Sequence, residues 1–349
     1  MRRINMIKNF ILDSDKKPFI TLTKEVLELW KSEKSFPIYY FTRLVYKNNN
    51  TSYKDYTSIS YIKQLHNSTE LHTEQTSEIL VNKIKFNEFC VDNKLPAPKL
   101  IGLIEGQVFK NKELNLELSD SQVLLDIFKK LFEITKLESI FLKPVDGLQG
   151  KGCYRIDIST LSDKIMLAEI YKSIQLYDYI IQETVLQHPI LNKINPYSIN
   201  TIRMDTFIKD DNSVEVLSGL MRFGRKGSVV DNASSGGFFI PLDLKQGKLK
   251  KYGMRFLNLG NKYIYYHPDT KIKLEGYEIP YVKEAIELAK KAAILLGDRL
   301  VGWDIAIIPS GPLLIEGNRC YDIAMQEMAY GGYKSHPVFR EILQKFTKN

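Results

Sequence analysis

The sequence of 349 residues is poor in cysteine, with only Cys90, Cys153 and Cys320. Three cysteines are too few for a disulfide framework, and their spacing matches no zinc motif. The sequence also lacks any run of 18 apolar residues, so no transmembrane span is expected. Its basic first residues have only short apolar runs and no small-residue cleavage site, which argues against a secretory signal. These absences together predict a reduced, cytoplasmic protein.

Common catalytic motifs are missing as well. The histidines are dispersed without the spacing of a metal-binding helix, and no serine lies in a nucleophile elbow. The glycine-rich loop that follows Lys143 matches neither the P-loop nor the dinucleotide fingerprint, because no predicted helix begins at its glycines.

The charge balance is mildly positive. Lysine and arginine number 49 against 41 acidic residues, which gives a formal net charge of +8. The basic residues are scattered, and the densest cluster, at 245–251, is short enough to be a solvated loop. Nucleic-acid binding would need a basic stripe with stacking aromatics, so no nucleic-acid partner is expected. The positive balance suits anionic small substrates.

The distribution of apolar residues predicts three regions in the chain. Residues 1–76 are rich in Lys, Asn, Ser, Thr and Tyr with short apolar clusters, which indicates a partly helical N-terminal region. Residues 77–186 and 187–349 mix strand and helix patterns and are predicted to form a central and a C-terminal subdomain. The predicted fold class is α+β.

Helical spacing of apolar residues predicts three long helices in these subdomains. One covers residues 77–94, and a second covers residues 119–136 with a serine as its N-cap. The third covers residues 280–297, with Gly297 as its C-terminal cap.

Residues 139–185 have the pattern strand, loop, strand, helix and strand. The loop between the first two strands carries Gly147, Gly150 and Gly152, and Lys143 lies on the apolar strand before it. Such a loop can close over phosphates with its bare N–H groups, and the lysine can reach a phosphate as a point charge. The alternative is a flexible hairpin whose lysine extends to water, and these residues alone do not decide between the two.

The stretch LVGWDIAIIPSGPLLIEGN predicts an apolar β-hairpin that turns at Pro-Ser-Gly. A three-residue loop pairs Ile308 with Pro312. Counting back along both strands places Asp304 opposite Glu316, with Asn318 on the face of Glu316. Two facing carboxylates about 5 Å apart repel unless a cation lies between them, and oxygen ligands suit Mg²⁺ bound with phosphates. Two solvated acids are the alternative.

Two arginines interrupt the apolar alternation of long predicted strands. An arginine in such a place is usually paired with a carboxylate or a phosphate. For Arg203, an ion pair with a neighbour such as Asp205 is the alternative to phosphate binding. Arg222 leads into a glycine-rich segment that contains Asn232 and the run SSGG.

In their order and spacing, these motifs resemble the ATP-grasp superfamily over about residues 78–325. The resemblance implies an ATP-grasp fold, in which two α+β subdomains grip ATP, with ATP and Mg²⁺ as cofactors. It implies a magnesium set of Asp304, Glu316 and Asn318, and a catalytic set of Arg222, Asn232 and Lys143 at the transferred phosphate. The predicted nucleotide-binding residues are Lys83, Lys143, Gly147, Gly150, Gly152, Gln182, Glu183 and Val185, and Arg203 is added as a phosphate partner.

The tyrosine-rich N-terminal region and the phrases SINTIRMDTF and GWDIAI are most similar to the sugar-transfer-associated ATP-grasp proteins found with bacterial capsule and polysaccharide genes. This resemblance implies a carboxylate–amine ligase that acts through an acyl phosphate and joins an amino acid to a uronic acid or amino sugar. Two alternatives stay open: a small-molecule or carbohydrate kinase, and a nucleotide-binding regulator without turnover.

Overall fold

The computed structural model describes residues 2–50, 52–146 and 150–348. Their strands form two antiparallel sheets of six strands each, and helices pack around both. The predicted α+β class is confirmed. Each sheet lies within one of the two predicted subdomains, whose boundaries at residues 76 and 186 stay a prediction.

The helices of the described residues are α1 Arg2–Ile11, α2 Phe19–Glu33, α3 Tyr39–Thr42, α4 Ile59–Asn67, α5 Glu74–Val81, α6 Lys83–Asp92, α7 Ser121–Thr135, α8 Lys164–Ile174, α9 Pro189–Ile194, α10 Val282–Leu296, α11 Ala324–Tyr330 and α12 Pro337–Phe346. None of the helices in these ranges is both long and apolar enough to cross a membrane.

The first sheet has the strand order β3-β2-β1-β6-β4-β5 and the second has β10-β9-β8-β7-β11-β12. The strands are β1 Leu100–Glu105, β2 Val108–Lys110, β3 Asn115–Glu117, β4 Ser139–Pro144, β5 Tyr154–Asp157, β6 Tyr179–Glu183, β7 Thr201–Ile208, β8 Val214–Phe223, β9 Phe238–Asp243, β10 Lys248–Leu249, β11 Leu300–Ile308 and β12 Gly311–Asn318.

Helices α7 and α8 cover one face of the first sheet. Phe128 and Leu131 of α7 and Ile170 of α8 join Ile140 and Leu142 of β4 in one buried cluster. Because side chains alternate along a strand, Lys143 and its neighbours at odd positions of β4 face away from these helices, toward the second sheet.

Helix α10 packs on one face of the second sheet. Its buried face includes four alanines, which let the helix approach the strands closely: Ala285, Ala289, Ala292 and Ala293. The predicted cap is present, since Gly297 has a left-handed φ of 76° at the end of the helix. Alternate residues of β7 and β11, among them Arg203 and Asp304, therefore point to the opposite face of this sheet.

Two predicted helix boundaries are wrong. The predicted helix over residues 77–94 is two helices, α5 and α6, separated at Asn82. The Asn82 side chain accepts hydrogen bonds from the N–H groups of Ile84 and Lys85, which satisfies the start of a new helix and breaks the old one. Helix α7 is capped by the Asp120 side chain, not by a serine.

The N-terminal region is helical, as predicted, and it packs on the second sheet. Tyr39 and Tyr40 lie in one buried cluster with Leu220, Phe239 and Met254 of the sheet region. The contact is close at Gly332, where a Cβ would lie 2.1 Å from the carbonyl carbon of Asp55. No larger residue fits there without a backbone shift.

A buried ion pair between Arg43 and Glu327 fastens the N-terminal region to α11. The Glu327 side chain also accepts the N–H groups of Thr57, at 2.8 Å, and Tyr333, at 3.2 Å. Both charged side chains are nearly inaccessible, at 5% and 0% exposure. An isolated charge in this place would be costly, so each partner depends on the other.

We expect Arg43→Met to lower the free energy of unfolding by about 3–5 kcal/mol, because it leaves the buried Glu327 carboxylate without its cation. Urea denaturation would measure this loss. The double variant Arg43→Met/Glu327→Gln should recover part of it, since the buried charge is then gone. Lys110→Met, at an exposed ion pair, serves as the control and should leave the midpoint unchanged. A wild-type midpoint in Arg43→Met would contradict this account.

Candidate active site

A cleft of about 280 Å³ lies between the two sheets. The side chains on its walls come from both halves of the molecule. The first sheet and the segment after it supply Phe141, Lys143, Arg155, Gln182, Glu183, Thr184 and Val185, and the second half supplies Asn192, Tyr197, Ser198, Val229 and Ile315.

Lys143 of β4 is buried at this cleft, with 8% of its surface exposed. It therefore does not extend to water, which was the alternative considered for it. Burial lowers the pKa of its ammonium, the nearby Lys83 lowers it further, and the Glu316 carboxylate opposes both. A lysine held in this way gains when a further anion binds beside it.

Lys83 is the first residue of α6, placed there by the Asn82 cap. Its ammonium donates to the backbone carbonyl of Val145, directly after β4, at 3.2 Å. The same ammonium lies 3.9 Å from a carboxylate oxygen of Glu316 on β12. Lys83 thus links α6 to both sheets. The two predicted lysines, Lys83 and Lys143, both lie near the Glu316 carboxylate.

The hairpin places Asp304 opposite Glu316, as predicted, but its turn is shorter than predicted. Ile308 pairs with Gly311, not with Pro312, so the loop has two residues. Such a loop alone would pair Asp304 with Ile315 and turn Glu316 to the other face. A β-bulge between Asp304 and Ile305 restores the register, because Ile315 is the extra residue on β12.

The Asp304 carboxylate is held by two arginines. Arg203, its neighbour on β7, donates from Nε to Oδ1 at 2.5 Å and from Nη2 to Oδ2 at 3.0 Å. Arg222 approaches Oδ2 from β8, also at 3.0 Å. Burial alone would raise the pKa of Asp304, but the two guanidiniums, Arg203 first, hold it below its ordinary value. Asp304 is ionised and fixed in place.

The alternative partner considered for Arg203, Asp205, is not the one it has. Asp205 is fully buried and accepts hydrogen bonds from Ser218 and Tyr333, both at 2.9 Å, and from Gln326, at 2.9 Å. Burial raises the pKa of Asp205 to about 6, against the influence of Arg203. The bidentate partner of Arg203 lies on the neighbouring strand, 101 residues away in sequence.

Arg222 has two further partners that sequence reasoning missed. It donates to the Thr201 hydroxyl at 2.7 Å and lies 3.2 Å from the Asp231 carboxylate. Asp231 in turn accepts the N–H and the hydroxyl of Thr201, at 2.7 and 2.6 Å. The only sequence signal for Asp231 is its place directly before Asn232 in the glycine-rich segment after β8.

Two predicted site residues, Asn232 and Gly150, lie near the segment that follows Arg222. The Asn232 side chain accepts hydrogen bonds from the N–H and the hydroxyl of Ser234, both at 2.9 Å, and so shapes the turn that follows. Gly150, with a left-handed φ of 69°, lies against Val230, where a Cβ would come within 2.9 Å of a methyl carbon. The described end of the glycine loop thus reaches the segment beside Arg222, while Gly147 lies outside the described residues.

The predicted nucleotide strand, β6, forms the wall of the cleft nearest β1. The Gln182 side chain donates to the carbonyl of Pro98 at 3.2 Å, and Glu183 exchanges hydrogen bonds with Lys99 through its N–H and its carboxylate. Val185 lines the cleft after the strand ends. The buried hydroxyl oxygen of Thr184, between them, has no hydrogen-bond partner among the described residues.

Asp304 lies opposite Glu316 on the hairpin, and Asn318 lies two residues beyond Glu316 on the same strand. Asn318 is paired with Gly302, and its amide nitrogen lies 3.5 Å from Asp304 Oδ2. Turning the amide by 180° would present its oxygen instead. In the described parts of the chain, no group of three or more His, Cys, Asp or Glu residues could hold a metal alone. The set fits a hard cation that takes its other ligands from phosphate and water.

Positive charge exceeds negative charge at this site. The cations are Lys83, Lys143, Arg155, Arg203 and Arg222, and the anions are Glu183, Asp231, Asp304 and Glu316. Asp231 and Asp304 are paired with Arg222, and the Glu316 carboxylate lies near the two lysines. A polyanion with a bound divalent cation would complete the charge balance.

A family model described as sugar-transfer associated ATP-grasp matches residues 60–338 of the chain. No curated protein matches the chain in sequence.

Several solved structures resemble parts of it. The ATP-grasp ligase PsnB, complexed with minimal precursor, Mg and ADP, is 14% identical with a TM-score of 0.40, over 80% of this chain and 62% of that one. D-alanyl-alanine synthetase A from Vibrio cholerae is 11% identical with a TM-score of 0.44, over 78% of this chain and 66% of that one. Biotin carboxylase from Campylobacter jejuni is 11% identical with a TM-score of 0.44, over 77% of this chain and 46% of that one. The chain thus spans less than two thirds of each of these proteins.

The raised pKa of Asp205 predicts a pH effect on stability. Its folded pKa of about 6 lies above the ordinary 3.8, so its stabilising contribution is full in acid and is lost as the pH rises through 6. Asp205→Asn cannot titrate. Relative to wild type, this variant should therefore gain about 2 kcal/mol between pH 4 and pH 7.

Chemical denaturation across that pH range measures the difference. The new amide can donate to the Gln326 carbonyl oxygen, which has no partner among the described residues, so the variant should fold. Asp210→Asn, at an exposed carboxyl whose pKa is lowered chiefly by Lys345, should show no such gain, because that carboxyl titrates in the folded protein below its ordinary 3.8. A pH-independent difference for Asp205→Asn would disprove the assignment.

Proposed function

The chain belongs to the sugar-transfer associated ATP-grasp family, and on that premise we propose that it is a ligase that joins a carboxylate to an amine at the expense of ATP. The family membership confirms the predicted ATP-grasp fold. ATP and Mg²⁺ are the cofactors of the proposed reaction, and the ATP-grasp ligase PsnB was solved with Mg and ADP.

The observation that carries the proposal is the set of cations around the inter-sheet cleft. Lys143 is buried there with a lowered pKa, and Lys83 lies beside it, with Glu316 as their shared carboxylate. Two lysines held in this way suit the phosphates of a nucleotide, and the unpartnered Thr184 hydroxyl suits a polar ring in the same cleft. Phosphoryl transfer needs mainly such positioning and charge neutralisation.

Two steps make up the proposed reaction. A carboxylate oxygen of the first substrate attacks the γ-phosphorus of ATP, the bond from that phosphorus to the β–γ bridging oxygen breaks, and ADP leaves. The nitrogen of the amine then attacks the acyl carbon of the acyl phosphate. The carbon–oxygen bond to phosphate breaks, phosphate leaves, and the nitrogen loses a proton to give the amide.

The residues of the second sheet would serve the acyl phosphate. Arg222 is fixed by Thr201, Asp231 and Asp304, so its guanidinium is oriented before substrate binds. Asp304, Glu316 and Asn318 would hold Mg²⁺, which supplies positive charge to the phosphate oxygens. Arg203 would act by fixing Asp304, since both of its described hydrogen bonds go to that carboxylate.

A second cavity, of about 230 Å³, suits a sugar substrate. Its side chains are amphipathic and amide groups, which suit the faces and hydroxyls of a sugar ring: Arg43, Asn49, Asn50, Tyr56, Tyr252 and Tyr263. Tyr252 and Tyr263 have ring centroids 4.0 Å apart. Met254 and Met328 line the cavity and belong to the buried cluster that contains Leu220, two residues before Arg222. We assign the cavity to the sugar, with the amino acid as the other partner.

The test is ADP release from ATP and Mg²⁺ with uronic acid and amino sugars crossed against amino acids. We expect release only when a carboxylate and an amine are both present, with an amide as product. Lys143→Met should abolish release without changing the fold, because the Lys143 ammonium makes no described hydrogen bond and the backbone pairing of β4 with β6 is retained. Asn49→Ala should raise the KM of the sugar and leave the KM of ATP unchanged.

Other outcomes identify the alternatives. Release with a sugar alone, together with a stable phosphate ester, would show a kinase. Tight ATP binding without release under any pair of substrates would show a regulator. Full activity in Lys143→Met would contradict the proposed nucleotide site.

Glu316→Gln tests the proposed metal ligands with ATP and Mg²⁺ alone, without the carboxylate or the amine substrate. In wild type, Mg²⁺ with ATP should raise the melting temperature more than ATP alone, because binding to the folded state adds stability. Glu316→Gln removes one anionic ligand at nearly constant shape and should remove most of that difference. The exposed Glu341→Gln is the matched control and should retain it. An unchanged difference in Glu316→Gln would exclude Glu316 from the metal site.

A further inference from the structure

Exposed apolar side chains are concentrated at the start of the chain. Of 28 large hydrophobic residues that are exposed in the described ranges, 10 lie in residues 4–38. The six nearest the start are 60–83% exposed: Ile4, Ile7, Ile11, Leu12, Phe19 and Ile20. Such a concentration in about a tenth of the sequence marks an interaction surface, not the scattered exposure usual in proteins.

Helix α1 carries this surface on the side that faces away from the protein. Met6 and Phe10 pack on the buried cluster of the N-terminal region, and Asn9 donates to the carbonyl of Leu257. Ile4, Ile7 and Ile11 follow each other at intervals of three and four residues, so they form one stripe along the helix. The inner face of α1, with Met6, Asn9 and Phe10, holds the helix in place, so the three isoleucines are not needed for that.

The charged side chains near the isoleucine stripe differ in their exposure. Asp13 is buried against Lys47 at 3.0 Å, and the Lys17 ammonium is buried against Glu25 at 2.7 Å. Arg3 and Lys8, in contrast, are exposed on α1, which has no acidic residue. The outer side of α1 is therefore apolar and basic, whereas Asp15, after α1, is 44% exposed and lies 3.3 Å from the Lys47 ammonium.

We propose that α1 and the first turn of α2 dock on an anionic lipid bilayer. A helix that places isoleucines, flanked by basic residues, against the boundary of headgroups and acyl chains is an interfacial helix, which lies on the membrane and does not span it. Basic residues favour an anionic lipid surface over a second copy of the chain, because two copies would bring like charges together. The surface contains no residue of the inter-sheet cleft.

Co-sedimentation with vesicles tests the proposal on the full chain. Wild type should bind vesicles of phosphatidylcholine with phosphatidylserine, bind phosphatidylcholine alone weakly, and lose binding at high salt. Ile7→Ser/Ile11→Ser should lower the partition coefficient at least about tenfold, since each side chain gives up apolar burial in the lipid. Arg3→Gln and Lys8→Gln should each lower it about fivefold.

The matched control is Ile165→Ser/Leu176→Ser, which removes two apolar side chains that are 76% and 69% exposed elsewhere. It should bind as wild type does. Circular dichroism and melting temperature verify that each variant is folded, and ATP-induced stabilisation is measured separately, so a failed active-site proposal remains distinguishable. Absence of binding to anionic vesicles overturns the proposal, as does equal binding to neutral ones. A dimer in sedimentation velocity that Ile7→Ser/Ile11→Ser dissociates would assign the surface to a second copy and overturn it too.

Discussion

The pairing of Asp304 with Arg203 and Arg222 is the interaction on which the second sheet and the candidate site depend. The three side chains come from β11, β7 and β8, so the cluster forms only when all three strands are in register. A slip by one residue would turn a buried charge away from its partners, and an unpaired buried charge costs several kcal/mol. The same cluster that orients Arg222 therefore fixes the strand register.

The lysines at the cleft are arranged differently from these arginines. Lys143 is buried without a described ion pair, its pKa is lowered, and Lys83 adds a second positive charge near it. This arrangement costs stability in the free protein, and an anion in the cleft would offset that cost. The first sheet thus holds Lys143 buried without a described ion pair, whereas the arginines of the second sheet are paired in the free protein. A site with both properties would suit a polyanion, since Lys143 lacks a paired anion and Arg222 is already oriented.

The sequence predicted much of this arrangement, and its failures have physical causes. The predicted pairing of Asp304 with Glu316 is correct because two deviations cancel in the register, a shorter turn and a bulge at Ile315, and no local pattern signals either. The break at Asn82 was missed because apolar spacing continues across it. Arg203 pairs with Asp304 and not with the nearby Asp205, because strand order, which sequence periodicity does not contain, decides which carboxylate is adjacent.

The N-terminal region shows how stability and surface chemistry can be separated within one helix. The inward faces of this region bury tyrosines and charged side chains against partners, among them Asp13 with Lys47 and Arg43 with Glu327 of α11. Because those contacts already hold the region in place, the isoleucines on the outward face of α1 are not needed to stabilise the fold. Burial of apolar side chains is the largest stabilising contribution a short helix can make, so leaving them outside forgoes stability in the isolated chain. Only contact with another apolar phase would recover it.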